Sequence, residues 1–147
     1  MPGFHAAQRH CQVVAETTMQ LVSVPEGLPV AASLQYTTRD PFAVSVVFAA
    51  AGCSPVVWVF ARDLLLGGVS RPSGVGDVQV FPAGDSIVLD LASPDGSARV
   101  VADAADIRAF VDDILALVPA GHEMRFVDMD AELASLGRAS FAEWGDC

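Results

Sequence analysis

The side chains that could do chemistry in this chain fall into small sets, and each set would do something different. His5, His10 and Cys11 are donors a transition metal could use, but they sit in an N-terminal stretch with no periodicity to fix their geometry. Asp128, Asp130 and Glu132 have the alternate spacing that opens a calcium loop. The glycine and the later bidentate glutamate of such a loop are missing, so an acidic helix start accounts for them better. Gly74 and Gly76 look like a phosphate-binding turn, yet a strand follows them and the chain contains no lysine. A hairpin turn that needs positive φ is the better reading. His122 lies in a Pro-Ala-Gly-His loop without a serine or cysteine motif beside it, so an exposed or capping role is expected rather than acid–base work. Arg62 and Asp63 stand side by side where a buried strand gives way to a short helix. Neighbouring helix residues do not face each other, so they need separate partners. Arg62 is expected to cap carbonyls or pair with a carboxylate, and Asp63 to satisfy backbone donors; the alternative is that both touch a partner protein.

The elements that position these groups follow from the patterning. Val56, Val57, Trp58, Val59 and Phe60 form an apolar run of strand length, expected to be buried on both faces. Residues 61–66 favour a helix of one or two turns, which Gly67 and Gly68 should stop. Arg71-Pro72 is extended, 74–77 turn, and 78–81 alternate as a strand. Upstream, 13–24 read as a first strand and 25–29 as a loop. Ala32, Leu34 and Tyr36 alternate as a second strand, and Phe42, Val44, Val46 and Phe48 place four large apolar groups on one face of a third. Downstream, Ile87, Leu89 and Leu91 mark another strand, and 98–101 the last one. Asp103 is a helix N-cap, with Asp106 acting as part of a capping box. Ile107, Phe110, Val111, Ile114, Leu115 and Val118 then form one apolar helix face, closed by Pro119. A second short helix should run from Asp128 to about Leu136, ending at Gly137. Strands first and helices last give an α+β class: curled antiparallel β-sheet, about seven strands, with a short mid-chain helix and C-terminal helices packed on it.

Composition narrows the function. The 147 residues fit one domain, read as a tail over 1–12, a domain over 13–137 and a second tail over 138–147 carrying Phe141 and Trp144. The net charge is −10, from eight arginines against eighteen acids. Such a chain repels phosphate and anionic membrane surfaces, so neither nucleic acid nor membrane insertion is expected. Cys11, Cys53 and Cys147 are an odd, widely spaced set, read as reduced thiols rather than a disulfide framework or zinc site. With no apolar signal segment in MPGFHAAQRHC and no run of spanning length, a cytoplasmic protein is expected. No cofactor or metal is expected. Hydrophobic residues make up 52% and charged residues only 18%. That balance, with unprotected sheet edges, leads us to expect self-association through those edges or through the apolar faces of 42–48 and 87–91.

Several ordered motifs carry a family resemblance. They are Trp58-Val59-Phe60-Ala61-Arg62-Asp63-Leu64-Leu65, then Arg71-Pro72, Gly74, Gly76-Asp77-Val78 and Pro82. Leu34, Tyr36 and Asp40-Pro41-Phe42-Ala43-Val44 lie upstream, and Ser93-Pro94-Asp95-Gly96 and Asp128, Asp130, Glu132-Leu133 downstream. Spread over roughly 13–136, this set resembles the SsgA-like proteins of sporulating actinomycetes. The resemblance implies a fold similar to the Whirly-type single-stranded nucleic-acid binders, a homotrimer, and a non-catalytic adaptor that recruits the septation machinery at division septa. It implies the tubulin-like GTPase FtsZ and other SsgA-like proteins as partners. Trp58, Arg62, Asp63, Arg71, Gly74, Gly76 and Asp77 are the signature positions and the candidate interaction residues. The alternative is a single-stranded nucleic-acid-binding protein of that same fold, which would need a basic groove with stacking aromatics. The charge balance argues against it. Fluorescence anisotropy with labelled single strands at physiological salt should show no binding. Sub-micromolar affinity that weakens with salt would overturn the adaptor expectation.

Overall fold

Period-two alternation places one apolar row of each strand on a common inner face, and the chain curls around it. The computed structural model describes residues 10–50 and 52–127. Its strands are β1 (Gln12–Leu21), β2 (Leu28–Thr37), β3 (Ala43–Ala49), β4 (Val56–Ala61), β5 (Val78–Ala83), β6 (Ser86–Ser93) and β7 (Gly96–Asp103). They make one seven-stranded antiparallel sheet in the order β4-β3-β2-β1-β7-β6-β5. The short helix α1 (Arg62–Gly68) leaves the end of β4, and α2 (Ala104–Leu117) follows β7. A 3-10 turn spans Glu123–Phe126. This is the α+β half-barrel the patterning implied. The helix expected from Asp128 and both outer tail segments, with His5, Phe141, Trp144 and Cys147, lie outside the described residues.

The sheet is two meanders with a narrow seam. β1 pairs with β2 along all ten of its residues, but meets β7 only at Gln20↔Val101 and Leu21↔Val100. Beyond those pairs the strands splay apart and α2 covers the opening. Ile107, Phe110, Val111, Ile114 and Val118 are buried there, as their spacing requires, while Asp112 and Asp113 are exposed. Asp103 caps α2, its carboxylate accepting from the Ala105 N–H at 2.9 Å. Asp106 does not complete a capping box. It accepts from the Thr17 hydroxyl at 2.7 Å and so ties α2 to β1, a partner that only the curl of the sheet supplies.

Other expectations need correcting. β4 is buried on one face only: Val56, Trp58 and Phe60 point inward, while Val57 and Val59 are 37% and 42% exposed. Among the described residues it is an edge strand and no element covers its second face, so its continuous apolar run does not mark a central strand. The first strand ends at Leu21, and the second begins before Pro29, which sits beyond the pairs β2 makes with β3. The faces expected to join subunits are instead the chain's own core. Val44, Val46, Phe48, Ile87, Leu89 and Leu91 are all buried, and Phe42 alone of the two sets turns out to solvent. The first residues of the ordered body also start earlier than the tail expectation. The Cys11 N–H donates to Thr38 Oγ1 at 2.9 Å, and β1 begins at Gln12. Cys11 is a free, exposed thiol, whereas Cys53 is disulfide-bonded, against the expectation of reduced thiols. Pairing depends on proximity in space, which wide sequence spacing conceals.

Gly67 and Gly68 do not stop α1; the helix includes both. They let it seat. A Cβ on Gly68 would overlap the Val80 side chain of β5, and one on Gly67 would lie 2.6 Å from Ser73 Oγ. Gly68→Ala should therefore force α1 off β5 and cost about 1–3 kcal/mol. Gly76→Ala, with open space around its Cβ and no positive φ, should leave the thermal melt unchanged. Equal melts for the two variants would show that α1 is not clamped at Gly68.

Candidate functional site

Arg62 begins α1, and the turn out of the edge strand drives its side chain into the interior, where it is 1% exposed. A buried guanidinium needs its donors met, and here both terminal nitrogens find partners while Nε has none among the described residues. Its Nη1 donates to the Val118 carbonyl at 2.8 Å and reaches the Tyr36 hydroxyl at 3.3 Å. Its Nη2 donates to Glu123 Oε1 at 2.6 Å. The guanidinium carbon also stands 5.6 Å from the Tyr36 ring centroid. The Val118 carbonyl is available because Pro119 holds Val118 extended at the end of α2. Tyr36 passes its own hydrogen to the Pro41 carbonyl at 2.9 Å, and burial raises its pKa. The Glu123 carboxyl is held below the usual range first by its own backbone N–H, with further help from Arg62 and the Gly121 N–H, against partial burial. Arg62 thus both caps a carbonyl and pairs with a carboxylate, as its position suggested. Glu123 was not legible beforehand. Its only signal was a carboxylate a few residues beyond the helix-ending proline.

The other signature residues separate into core and surface. Trp58 lies on the inner face of β4, 4% exposed and paired in register with Val46. Asp63 is exposed in the first turn of α1 and makes no hydrogen bond among the described residues, so it does not satisfy backbone donors as expected. Arg71, Gly74, Gly76 and Asp77 belong to one loop. Ser73 and Val80 pin it with paired backbone hydrogen bonds of 2.8 and 2.9 Å. Gly74 takes φ +97°, as a turn glycine should, and a Cβ there would strike the Val78 carbonyl and approach Leu64 to 3.2 Å. Gly76 has no positive φ, so only one of the two glycines is a conformational requirement. The loop therefore brings Arg71, Gly74, Gly76 and Asp77 together beside α1, apart from Trp58 and Arg62 inside the fold.

No motif pointed to the outer face of the β4-β3-β2-β1 half. One row across it reads Val59, Ser45, Gln35, Val14, and the next Val57, Val47, Ser33, Glu16. Glu16 is the one charge in those two rows. A shallow hollow of about 260 Å³, lined by Gln12, Gln35, Thr37, Asp40, Ser45 and Val59 among others, opens on this side. Among the described residues β4 pairs only with β3, and no described strand pairs with its outer edge. The other half differs: its outer row carries Asp90 and Arg99 in a bidentate pair at 2.7 and 2.9 Å, with Arg99 over Phe81. The β5 edge is blunted by the Ser73 bridge and by Pro82. His122, at the entry to the 3-10 turn, is half-buried and its N–H donates to the Pro119 carbonyl at 3.0 Å. Among the described residues no three His, Cys, Asp or Glu side chains are grouped to hold a metal ion, and no helix is long and apolar enough to cross a membrane.

Removing Arg62 would strand the Val118 carbonyl and the Glu123 carboxylate, so Arg62→Ala should cost on the order of 3 kcal/mol. Glu123 should also make the fold acid-sensitive. Because its folded pKa is lowered, its contribution is complete above the unfolded value and is lost as pH falls through the folded one. Thermal melts of wild type and Glu123→Gln across the acidic range test this. Arg62→Ala melting like wild type, or Glu123→Gln keeping the full acid dependence, would refute the role of this pair.

The comparisons with known proteins agree with this geometry. The family described as Streptomyces sporulation and cell division protein, SsgA, matches residues 30–123, which include every signature residue and Glu123. The chain is 50% identical over 116 residues to the sporulation-specific cell division protein SsgB of Kineococcus radiotolerans, covering 75% of this chain and 70% of that protein. It is 43% identical to the protein of the same name from Streptomyces coelicolor, over 79% of this chain and 88% of that one. A solved SsgA-like sporulation-specific cell division protein from Thermobifida fusca superposes with a TM-score of 0.77 at 36% identity, covering 88% of this chain and 98% of that chain. A second structure, from work on SsgB mutations and longitudinal cell division during sporulation of Streptomyces coelicolor, gives 0.77 at 38% identity, over 83% of this chain and 100% of that chain. With the matched residues spanning most of the sheet, α1 and α2, the chain belongs to the SsgA family of sporulation and cell division proteins.

Proposed function

We propose that this protein is a non-catalytic adaptor in sporulation-specific cell division, acting in the cytoplasm at division septa through protein–protein contacts made by a symmetric homo-oligomer. What supports the reading beyond family membership is the outer face of the β4 half. In a chain of net charge −10, two rows across four strands carry one charge; Val14 is 47% exposed on β1, and Val57 and Val59 are 37% and 42% exposed on β4, which among the described residues pairs only with β3. Apolar area of this kind at a sheet edge is what a second protein surface covers. The number of copies, three, follows from the family resemblance, as do FtsZ and other SsgA-like proteins as partners. Repeating one modest binding site around a symmetry axis raises avidity without new contacts. The nucleic-acid alternative gains nothing from the surface: among the described residues Phe42 is the one large aromatic that is prominently exposed, and it lies in no basic groove.

Because like charges oppose assembly, contacts between copies must be apolar and should strengthen with moderate salt. Light scattering coupled to size-exclusion chromatography should give a multiple of the 15.3 kDa chain mass, with three copies expected. The double variant Val57→Glu, Val59→Glu should reduce it to one copy without changing the melt, since neither side chain enters the core. A mass near 15.3 kDa for the wild type at every concentration and salt would sink the oligomer. Failure of a fluorescent fusion to concentrate at sporulation septa, with no binding to purified FtsZ, would sink the adaptor reading.

A further inference from the structure

Eighteen acids compete for eight arginines in this chain, so an arginine left without a carboxylate is uncommon by numbers alone. Arg62 is paired with Glu123, and Arg99 with Asp90. Arg39, Arg71 and Arg108 are exposed, and among the described residues none of the three is in a salt bridge; Arg39 stands apart in the turn between β2 and β3. Asp112, one turn along α2 from Arg108, is exposed and does not pair with it. The fold brings the Arg108 guanidinium to the segment that carries Arg71. Arg108 reaches across from α2 to donate to the Val69 carbonyl at 3.3 Å, just past the end of α1. Arg71 follows two residues later, its N–H held by the Gly67 carbonyl at 3.0 Å.

An apolar knob stands on the loop that follows Arg71. Val75 is fully exposed, at 100%, on the loop that carries Arg71 and Asp77. That loop is fixed from three sides: by the Ser73–Val80 hydrogen bonds, by Gly74 lying against the half-buried Leu64, and by the close approach of Gly67 to Ser73. A bare valine on a rigid support loses little freedom when it is covered, the condition under which one side chain contributes most to an interface. Guanidinium groups without an internal carboxylate, near an apolar anchor, fit a carboxylate-bearing segment with aliphatic side chains.

We propose that Arg71, Val75, Leu64 and Arg108 form a docking surface for an acidic, aliphatic peptide segment of a partner protein. This rests on the adaptor reading and assigns that function a second face, distinct from the β4 edge. A nucleic acid is the lesser candidate, because none of the four residues is an aromatic on which a base could stack. The test is an NMR titration of the isotopically labelled full chain with a synthetic peptide alternating Asp or Glu with Leu, and in parallel with a Lys/Leu peptide and an oligothymidine strand. The acidic peptide should shift residues around 64–77 and 105–112, saturate at about millimolar concentration or below, and weaken with salt. The Arg71→Glu, Arg108→Glu double variant and Val75→Asp should each weaken it by roughly tenfold while melting like wild type. Shifts that do not saturate, that fall elsewhere, that survive both variants, or that oligothymidine or the Lys/Leu peptide produces more tightly would overturn the site. A chain that assembles and binds FtsZ yet ignores the acidic peptide loses this surface and keeps the adaptor function. One that binds the peptide here but never FtsZ does the reverse.

Discussion

The buried Arg62 guanidinium is the tie on which the rest of this fold depends. One planar cation meets the last carbonyl of α2, the carboxylate of the 3-10 turn and the hydroxyl of a core tyrosine. These partners come from β2, the end of α2 and the segment after it, spread over more than half the chain. Stripping water from a guanidinium is costly unless the charge and most of its hydrogens are met at once. The arrangement is therefore close to all-or-none: the edge strand, α1 and the end of α2 must be placed together for Arg62 to be satisfied. That makes it a device for specifying geometry more than a source of net stability.

The second constraint is the seam between β1 and β7. A seam paired along the full length of β1 and β7 would leave α2 no gap to enter between them. With only two residue pairs at the seam, the halves splay and α2 fits between them. Its apolar stripe closes the core, and Asp106 finds Thr17 across the gap. The same curl assigns the surfaces. Inward rows collect the large side chains of all seven strands, which removes the faces of 42–48 and 87–91, Phe42 apart, from the question of self-association. What remains outside is a valine surface whose two rows carry Glu16 as their one charge on one half, and an ion-paired surface on the other. A small excess of apolar area in the right place is better evidence of an interface than a high overall hydropathy, because α/β cores alone can absorb a large apolar fraction.

The residues that carry the family resemblance serve two purposes here. Trp58 and Arg62 hold the junction of β4 and α1 from inside, and Gly74 shapes the loop that lies on the outside of α1. Between them the glycines at 67 and 68 let helix, loop and β5 stack without side chains in the way. The consequence is a stiff unit from β4 to β5 whose inner side is core and whose outer side offers Val75 and Arg71. Stiffness of that kind favours recognition by a preformed surface over folding upon binding.

The sequence by itself determined a good deal about this protein. Alternation at Ala32, Leu34 and Tyr36, the helical spacing from Ile107 to Val118, the Asp103 cap and the turn glycine at 74 each depend on local geometry, and each was legible. So was the structural role of Arg62, because a cation at the mouth of a buried strand must find acceptors. What a residue meets across the fold was not legible. Glu123 as the partner of Arg62, Thr17 as the partner of Asp106 and Val80 above Gly68 are all contacts between distant segments. The apolar run at 56–60 reads the same for a central strand as for an edge strand, so only the sheet order showed that Val57 and Val59 face outward. Likewise the arginines at 71 and 108 are unremarkable in the chain. Only the packing of α2 beside the end of α1 brings the Arg108 guanidinium to the segment that carries Arg71, because side-chain proximity across a sheet is set by topology and not by spacing along the backbone.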